Sequence, residues 1–283
     1  MKPPFLIALL TTFLLVLSLA PAGYSNPPDS KAAKPIANPQ TGLARNSPSP
    51  PSVEMAETLL KRAVDAYGGE EKIFSIRDAV YEYRVEIQAE PPTQPVTTRS
   101  FFKGEALFRS EILGGAEQVV SILNGENGCV IVAGTNLKVP PSEILPMKNS
   151  LVTQIRPDLL PLSFPKHRFT VRIEEDGKTL DKIEVSGFLG GEYARGRLSI
   201  DAATGLIYKF EYEIEREFSS GKGIVHGEEK YLKYETVEGL QVPSEIVSRQ
   251  GRKSARLLLE KARFNTTLSD DVFRVSPPGP ESK

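Results

Sequence analysis

Nucleophiles and soft metal ligands are scarce in this chain, whose 283 residues hold one cysteine, two histidines and no tryptophan. A lone cysteine, Cys129, cannot close an intramolecular disulfide, so the fold has to rest on a hydrophobic core. His167, His226 and Cys129 stand far apart in sequence and do not form the clustered N/S ligand pattern of a zinc site. No G-x-S-x-G elbow, Walker loop, H-E-x-x-H or G-x-G-x-x-G after a strand occurs. A charge excess is missing too: 35 Lys and Arg face 36 Asp and Glu, for a net charge of −1. That balance gives no field to recommend a nucleic acid as partner.

What chemistry-bearing residues there are fall in bland settings. Gly128-Cys129-Val130 is a turn running into an apolar strand, where cysteine behaves as a small hydrophobe rather than a nucleophile. Acidic pairs occur at Glu174-Glu175-Asp176, Glu228-Glu229 and Asp270-Asp271, each beside a turn or strand end. Neighbouring strand residues point to opposite faces, so these pairs read as solvated surface rather than acid–base machinery. Gly190-Gly191-Glu192 and Gly221-Lys222-Gly223 open strands, and read as hairpin turns, not phosphate cradles. No catalytic residue, metal or cofactor is expected.

The N-terminus sets the expected compartment. After Met1-Lys2-Pro3-Pro4 comes an apolar run, Phe5 to Leu19, followed by Ala20-Pro21-Ala22 and Gly23-Tyr24-Ser25. This is the pattern of a secretory signal over residues 1–25. A retained anchor is the alternative, but the run falls short of the ~20 residues that cross a bilayer. No cysteine stands at the cleavage region, so lipid attachment is not expected. Residues 26–52, rich in Pro, Ser, Asn and Ala, read as a disordered linker. Residues 53–277 have ordinary globular composition, and 278–283 read as a tail.

Within 53–277 the hydrophobic period changes once. Val53, Ala56, Leu59, Leu60, Ala63, Val64 and Tyr67 recur at helical spacing, with Ser52 placed to cap the start and Gly68-Gly69 to stop the helix. From residue 78 the period becomes two. Strands are predicted at 78–88, 96–103, 106–113, 117–123 and 129–133, and again at 168–175, 179–187, 193–200, 206–216, 223–235, 240–249 and 254–264. Short turn sequences join them, which implies antiparallel neighbours. Residues 141–162 interrupt the strands, and Pro146 and Pro157 break any long helix there. About a dozen strands cannot stay flat. The expected class is mainly β (α+β): a curved antiparallel sheet forming an incomplete barrel, with helices on its concave face. Tyr81, Tyr83, Val85, Phe101, Phe108, Val120, Ile122 and Leu257 are the candidate lining of either a plain core or a hydrophobic ligand cavity.

The order of elements resembles a known family. Ala66-Tyr67-Gly68-Gly69 lies at the passage from helix to strand, Tyr234-x-x-Val237-x-Gly239-Leu240-x-Val242-Pro243 spans a hairpin, and Leu268-Ser-Asp-Asp-Val-Phe273 lies near the end. Over roughly residues 54–277 this is similar to the periplasmic outer-membrane-lipoprotein-sorting (LolA/LolB-like) proteins, in their uncharacterised branch. Relatives often carry an aromatic where Cys129 stands, and no arginine here matches with certainty the one by which lipoprotein carriers control their lid; Arg84 and Arg99 are on candidate strands. The resemblance implies a half-barrel closed by helices, with an apolar cavity for acyl chains. It implies a non-enzymatic periplasmic carrier of a lipid, an acylated protein or another hydrophobic ligand, touching membranes only transiently. The alternative is an interaction or sensor module that uses the same half-barrel to bind another envelope protein.

Overall fold

The computed structural model describes residues 52–274, apart from 89–93, 105, 116–117, 126, 140–143, 145–147, 149–150, 190–191, 219–220 and 252. The expected signal sequence, nearly all of the linker, the tail and the first half of the 141–162 interruption lie outside the described residues.

Helix α1, Val53–Tyr67, forms where the apolar stripe predicts it. Ser52 Oγ accepts from the Met55 N–H at 3.0 Å, satisfying one of the otherwise unpaired first-turn donors. Gly68 ends the helix at φ 127°, a conformation that a side chain would strain. The buried face of α1, including Leu59, Leu60, Val64 and Tyr67, packs on the sheet. Its start is pinned there by the Phe169 N–H, which donates to Ser52 O at 3.1 Å. A short α2, Glu70–Phe74, follows.

The remaining chain builds one 13-stranded antiparallel sheet that does not close into a barrel. Its strands are β1 Asp78–Gln88, β2 Val96–Lys103, β3 Leu107–Leu113, β4 Val119–Asn124, β5 Asn127–Val132, β6 Thr135–Lys138, β7 Lys166–Glu175, β8 Lys178–Leu189, β9 Glu192–Asp201, β10 Ile207–Phe218, β11 Gly221–Val237, β12 Leu240–Gln250 and β13 Lys253–Phe264. Every predicted strand is present within a few residues. The addition is β6, a four-residue edge strand too short and polar to show a period.

Two meanders meet at the pairing of β1 with β13, giving the order β6-β5-β4-β3-β2-β1-β13-β12-β11-β10-β9-β8-β7. The two sheet edges are therefore β6 and β7, and these are consecutive in sequence. Residues 139–165 run from one edge to the other. Their described part is a π-helical turn at Leu151–Ile155, a 3₁₀ turn at Pro157–Leu159 and α3 at Leu160–Ser163. Prolines at 157 and 161 keep these pieces short. Ile155, Leu160 and Phe164 of this bridging segment are buried in the same core as α1 and the sheet's inner face.

Candidate functional site

The concave face is apolar but carries hydroxyls. In β11 the alternation puts Val225, Gly227, Glu229 and Tyr231 on the inner side. Tyr231 is fully buried and its hydroxyl donates to Thr153 O of the bridging segment. Tyr234 OH donates to Ile207 O at 2.6 Å and lies 2.8 Å from Tyr67 OH, which must then be the donor of that pair. Tyr83 OH donates to Pro243 O at 3.2 Å. Tyr81 stacks between Tyr83 and Phe102, with centroids 6.3 and 5.7 Å away. Burial drives the pKa of each of these phenols upward, so they act as fixed neutral donors.

Two charged features belong to the bridging segment. Arg156 grips Asp158 with contacts of 2.6 to 3.1 Å, both side chains being buried, and its guanidinium lies over the Phe102 ring at 5.4 Å. Burial opposes that charge, but the Asp158 carboxylate outweighs it and holds the guanidinium pKa above its ordinary value. Gln154 Nε2 reaches Ser248 Oγ at 3.3 Å and Glu229 Oε1 at 3.4 Å, linking the segment to the sheet floor.

Glu229 is the least expected member. It is 0% exposed, and Oε1 accepts from Ser248 Oγ at 3.0 Å and from Tyr212 OH at 3.4 Å as well as from Gln154. Its Oε2 is buried with no hydrogen-bond partner. Burial pushes the carboxyl up to about 8, against the pull of the three donors. The group is thus neutral at pH 7, with its proton available on the unpartnered oxygen. The Glu228-Glu229 pair therefore departs from the solvated reading: the two do face opposite ways, but only Glu228 reaches the outer surface, where it meets Arg249 at 3.5 Å.

The sequence-predicted lining divides between two faces. Tyr81, Tyr83, Val85, Phe108 and Leu257 lie in the main core on the concave side. Val120 and Ile122 sit on the opposite face, in a separate small cluster with Cys129 and Ile131. Phe101 alternates with inward Phe102 and is only half-buried, which places it on the convex side too. The five-residue buried run of β4 hid this, because both of its faces are covered. Arg84 and Arg99 pair with Glu86 and Glu82 across the outer surface.

Cys129 is 1% exposed and pairs in register with Ile122. Burial raises its thiol pKa, with Arg109 pulling weakly the other way, so little nucleophilic thiolate forms. We expect a disulfide-exchange reagent to label Cys129 only after denaturation. Cys129→Ala should cost about 1 kcal/mol of stability and leave ligand binding unchanged. Rapid labelling of the folded protein would contradict the packing role.

A groove of about 920 Å³ runs over the outer side of β7–β12, lined by charged residues that include Lys166, Arg168, Arg195, Arg197, Glu213 and both histidines. Among the described residues, no group of three or more His, Cys, Asp or Glu is arranged to hold a metal, and no helix is long and apolar enough to cross a membrane.

These features define an open antiparallel half-barrel whose edges are bridged by a short helical segment. Solved structures share that fold. A DUF1329 family protein from Desulfovibrio piger superposes with a TM-score of 0.52 at 13% identity, over 78% of this chain and 97% of that one. A domain from Vibrio parahaemolyticus described as an outer membrane lipoprotein-sorting protein gives 0.50 at 11% identity, over 77% and 97%. A LolA superfamily protein from Nitrosomonas europaea gives 0.48 at 12%, over 78% and 97%. By sequence, no family model and no curated protein matches the chain. The likeness read from the turn motifs thus holds at the level of the fold.

Proposed function

We propose that the chain is a periplasmic, non-catalytic carrier of a lipid, a lipoprotein acyl chain or another hydrophobic ligand, held between the concave sheet face and the bridging segment. The observation that carries this is the construction of the segment. It crosses from edge to edge over an apolar face, in helical pieces of three to five residues, and is fastened by a handful of side chains. Lifting Ile155, Leu160 and Phe164 off the sheet would open an apolar trough of Tyr81, Tyr83, Val85, Phe108 and Leu257 to a ligand. Acyl chains suit it, since each buried methylene contributes about 0.8 kcal/mol. The protonated Glu229 and the Tyr231 hydroxyl would be the polar atoms offered to an ester or amide of that ligand. The fold shared with a lipoprotein-sorting domain and the apolar N-terminal run support the same reading.

The test is native mass spectrometry of the protein isolated from its own envelope, with titration of a fluorescent fatty acid. Saturable binding is expected, strengthened by Leu160→Ala, which loosens the segment. A lipid-free chain that binds no probe, in both forms, would sink the carrier reading. A second reading draws on the close packing of the concave side, where Tyr67, Tyr83, Phe210 and Leu160 are all fully buried. A filled interior suits a module that binds an envelope protein through its outer surface. It predicts one reproducible crosslinked partner together with absent probe binding.

A further inference from the structure

The geometry points to a bilayer-docking surface on the convex side, at the end of the β8–β11 hairpins. Three large apolar side chains are exposed there: Phe188 at 67%, Ile224 at 50% and Tyr193 at 39%. They occupy one row across the strands. Phe188 pairs with Tyr193, Ile224 pairs with Glu215, and the Ala194–Ile214 pair sets Tyr193 level with Glu215. Phe188 and Tyr193 meet edge to face, with centroids 5.7 Å apart, so the tip is a preformed aromatic wedge.

The next row inward along the strands holds Lys166, Arg195, Glu213 and His226, about 7 Å behind the tip given the strand rise. Arg195 is shared between Glu213 at 3.1 Å and Glu215 at 3.5 Å, and His226 leans on Glu213 at 3.3 Å. Lys166 has no ion-pair partner among the described residues. Apolar tips backed at that depth by both signs of charge match the profile of a lipid interface. Aromatic and aliphatic groups enter the acyl boundary, while cations and carboxylates meet the phosphate and ammonium of the headgroups. A protein partner would need no such layering by depth, and a patch this apolar at a sheet end is not explained by the core beneath it. This inference does not depend on what the concave face binds.

The chain contains no tryptophan, so Phe188→Trp supplies a reporter free of background. Added vesicles of phosphatidylethanolamine and phosphatidylglycerol should shift its emission to the blue, and the protein should sediment with them. The combined substitution Phe188→Ser, Tyr193→Ser and Ile224→Ser should weaken vesicle partitioning by at least about tenfold, while its thermal midpoint and fatty-acid binding stay as in the parent. Unchanged emission at saturating vesicle would overturn the proposal. So would equal sedimentation of the parent and the triple variant. A blue shift that follows protein concentration without lipid, with a doubled mass by light scattering, would assign the patch to self-association instead.

Discussion

Gly196→Ala is expected to cost the fold about 3 kcal/mol, which lowers the melting midpoint by roughly 6–12 °C for a domain of this size. Gly196 lies on the inner side of β9, paired with Tyr212 of β10. A methyl group there would press into the Glu211 carbonyl oxygen and stand 2.9 Å from Phe210 Cε2. The first obstacle is backbone, so no rotamer change can yield, and relief requires the β9–β10 ladder to part. Gly227 on β11 makes a useful contrast. An added methyl there meets only the Tyr212 ring, which lies across the glycine. Gly227→Ala should destabilise comparably, but the loss should be largely suppressed in a Tyr212→Val background, with a coupling of about 1–3 kcal/mol. Tyr212→Val should give Gly196→Ala much less relief. Urea unfolding of the four combinations decides the matter: equal rescue of both glycines, or a Gly196→Ala protein as stable as the parent, contradicts the backbone contact.

Those two glycines also mark what local sequence reading can and cannot reach. The α1 boundaries, its Ser52 cap and the strand spans were legible because each depends on period and on turn residues within a few positions. The meeting of β1 with β13, which divides the sheet into two meanders, has no local signature. It follows from register over a separation of most of the domain. The same limit explains why Val120 and Ile122 were grouped with Tyr81 and Val85. Alternation tells which residues of one strand share a face, but in β4 both faces are buried. Only the pairing of Ile122 with Cys129 shows that they pack on the convex side.

For the candidate site the signal was present but weak. In β11, Val225, Gly227, Glu229 and Tyr231 alternate in phase, so a carboxyl stood on a face otherwise made of apolar and aromatic residues. An acidic residue in that phase is more often at a frayed or solvated end than in a core, and Glu228 beside it strengthened the surface reading. What reverses it is the bridging segment, which brings Gln154 from 75 positions away. No strand pattern announces that contact, because the segment has no period of its own.

That buried carboxyl carries the other large expected effect. Unfolded, Glu229 titrates near 4.5, whereas in the fold burial pushes it up to about 8. Below pH 4.5 both states hold the proton and the group is neutral to stability. Between 4.5 and 8 the native state still holds it while the unfolded chain has released it, so stability falls as pH rises, and levels off above 8. The interval of 3.5 units (8 minus 4.5) sets the loss at about 5 kcal/mol, an upper value because water entry relieves part of the desolvation. Glu175, Asp176 and Glu245, held down by their lysine and arginine partners, act in the opposite direction and only as pH falls below their ordinary range. Their window does not overlap that of Glu229. Glu229→Gln keeps an acceptor for Ser248, Gln154 and Tyr212 and cannot ionise. It should match the parent near pH 5, then remain flat where the parent declines, so that by pH 8.5 the variant is the more stable protein. Ser248→Ala removes a donor that favours the charged form, and should move the parent's decline to higher pH. Denaturant midpoints from pH 4.5 to 9 read all three. Parallel profiles for the parent and Glu229→Gln would mean that the carboxyl is hydrated or charged in the fold. The bridging segment would then lack the neutral anchor at Gln154 that ties its closure to the protonation of the sheet floor.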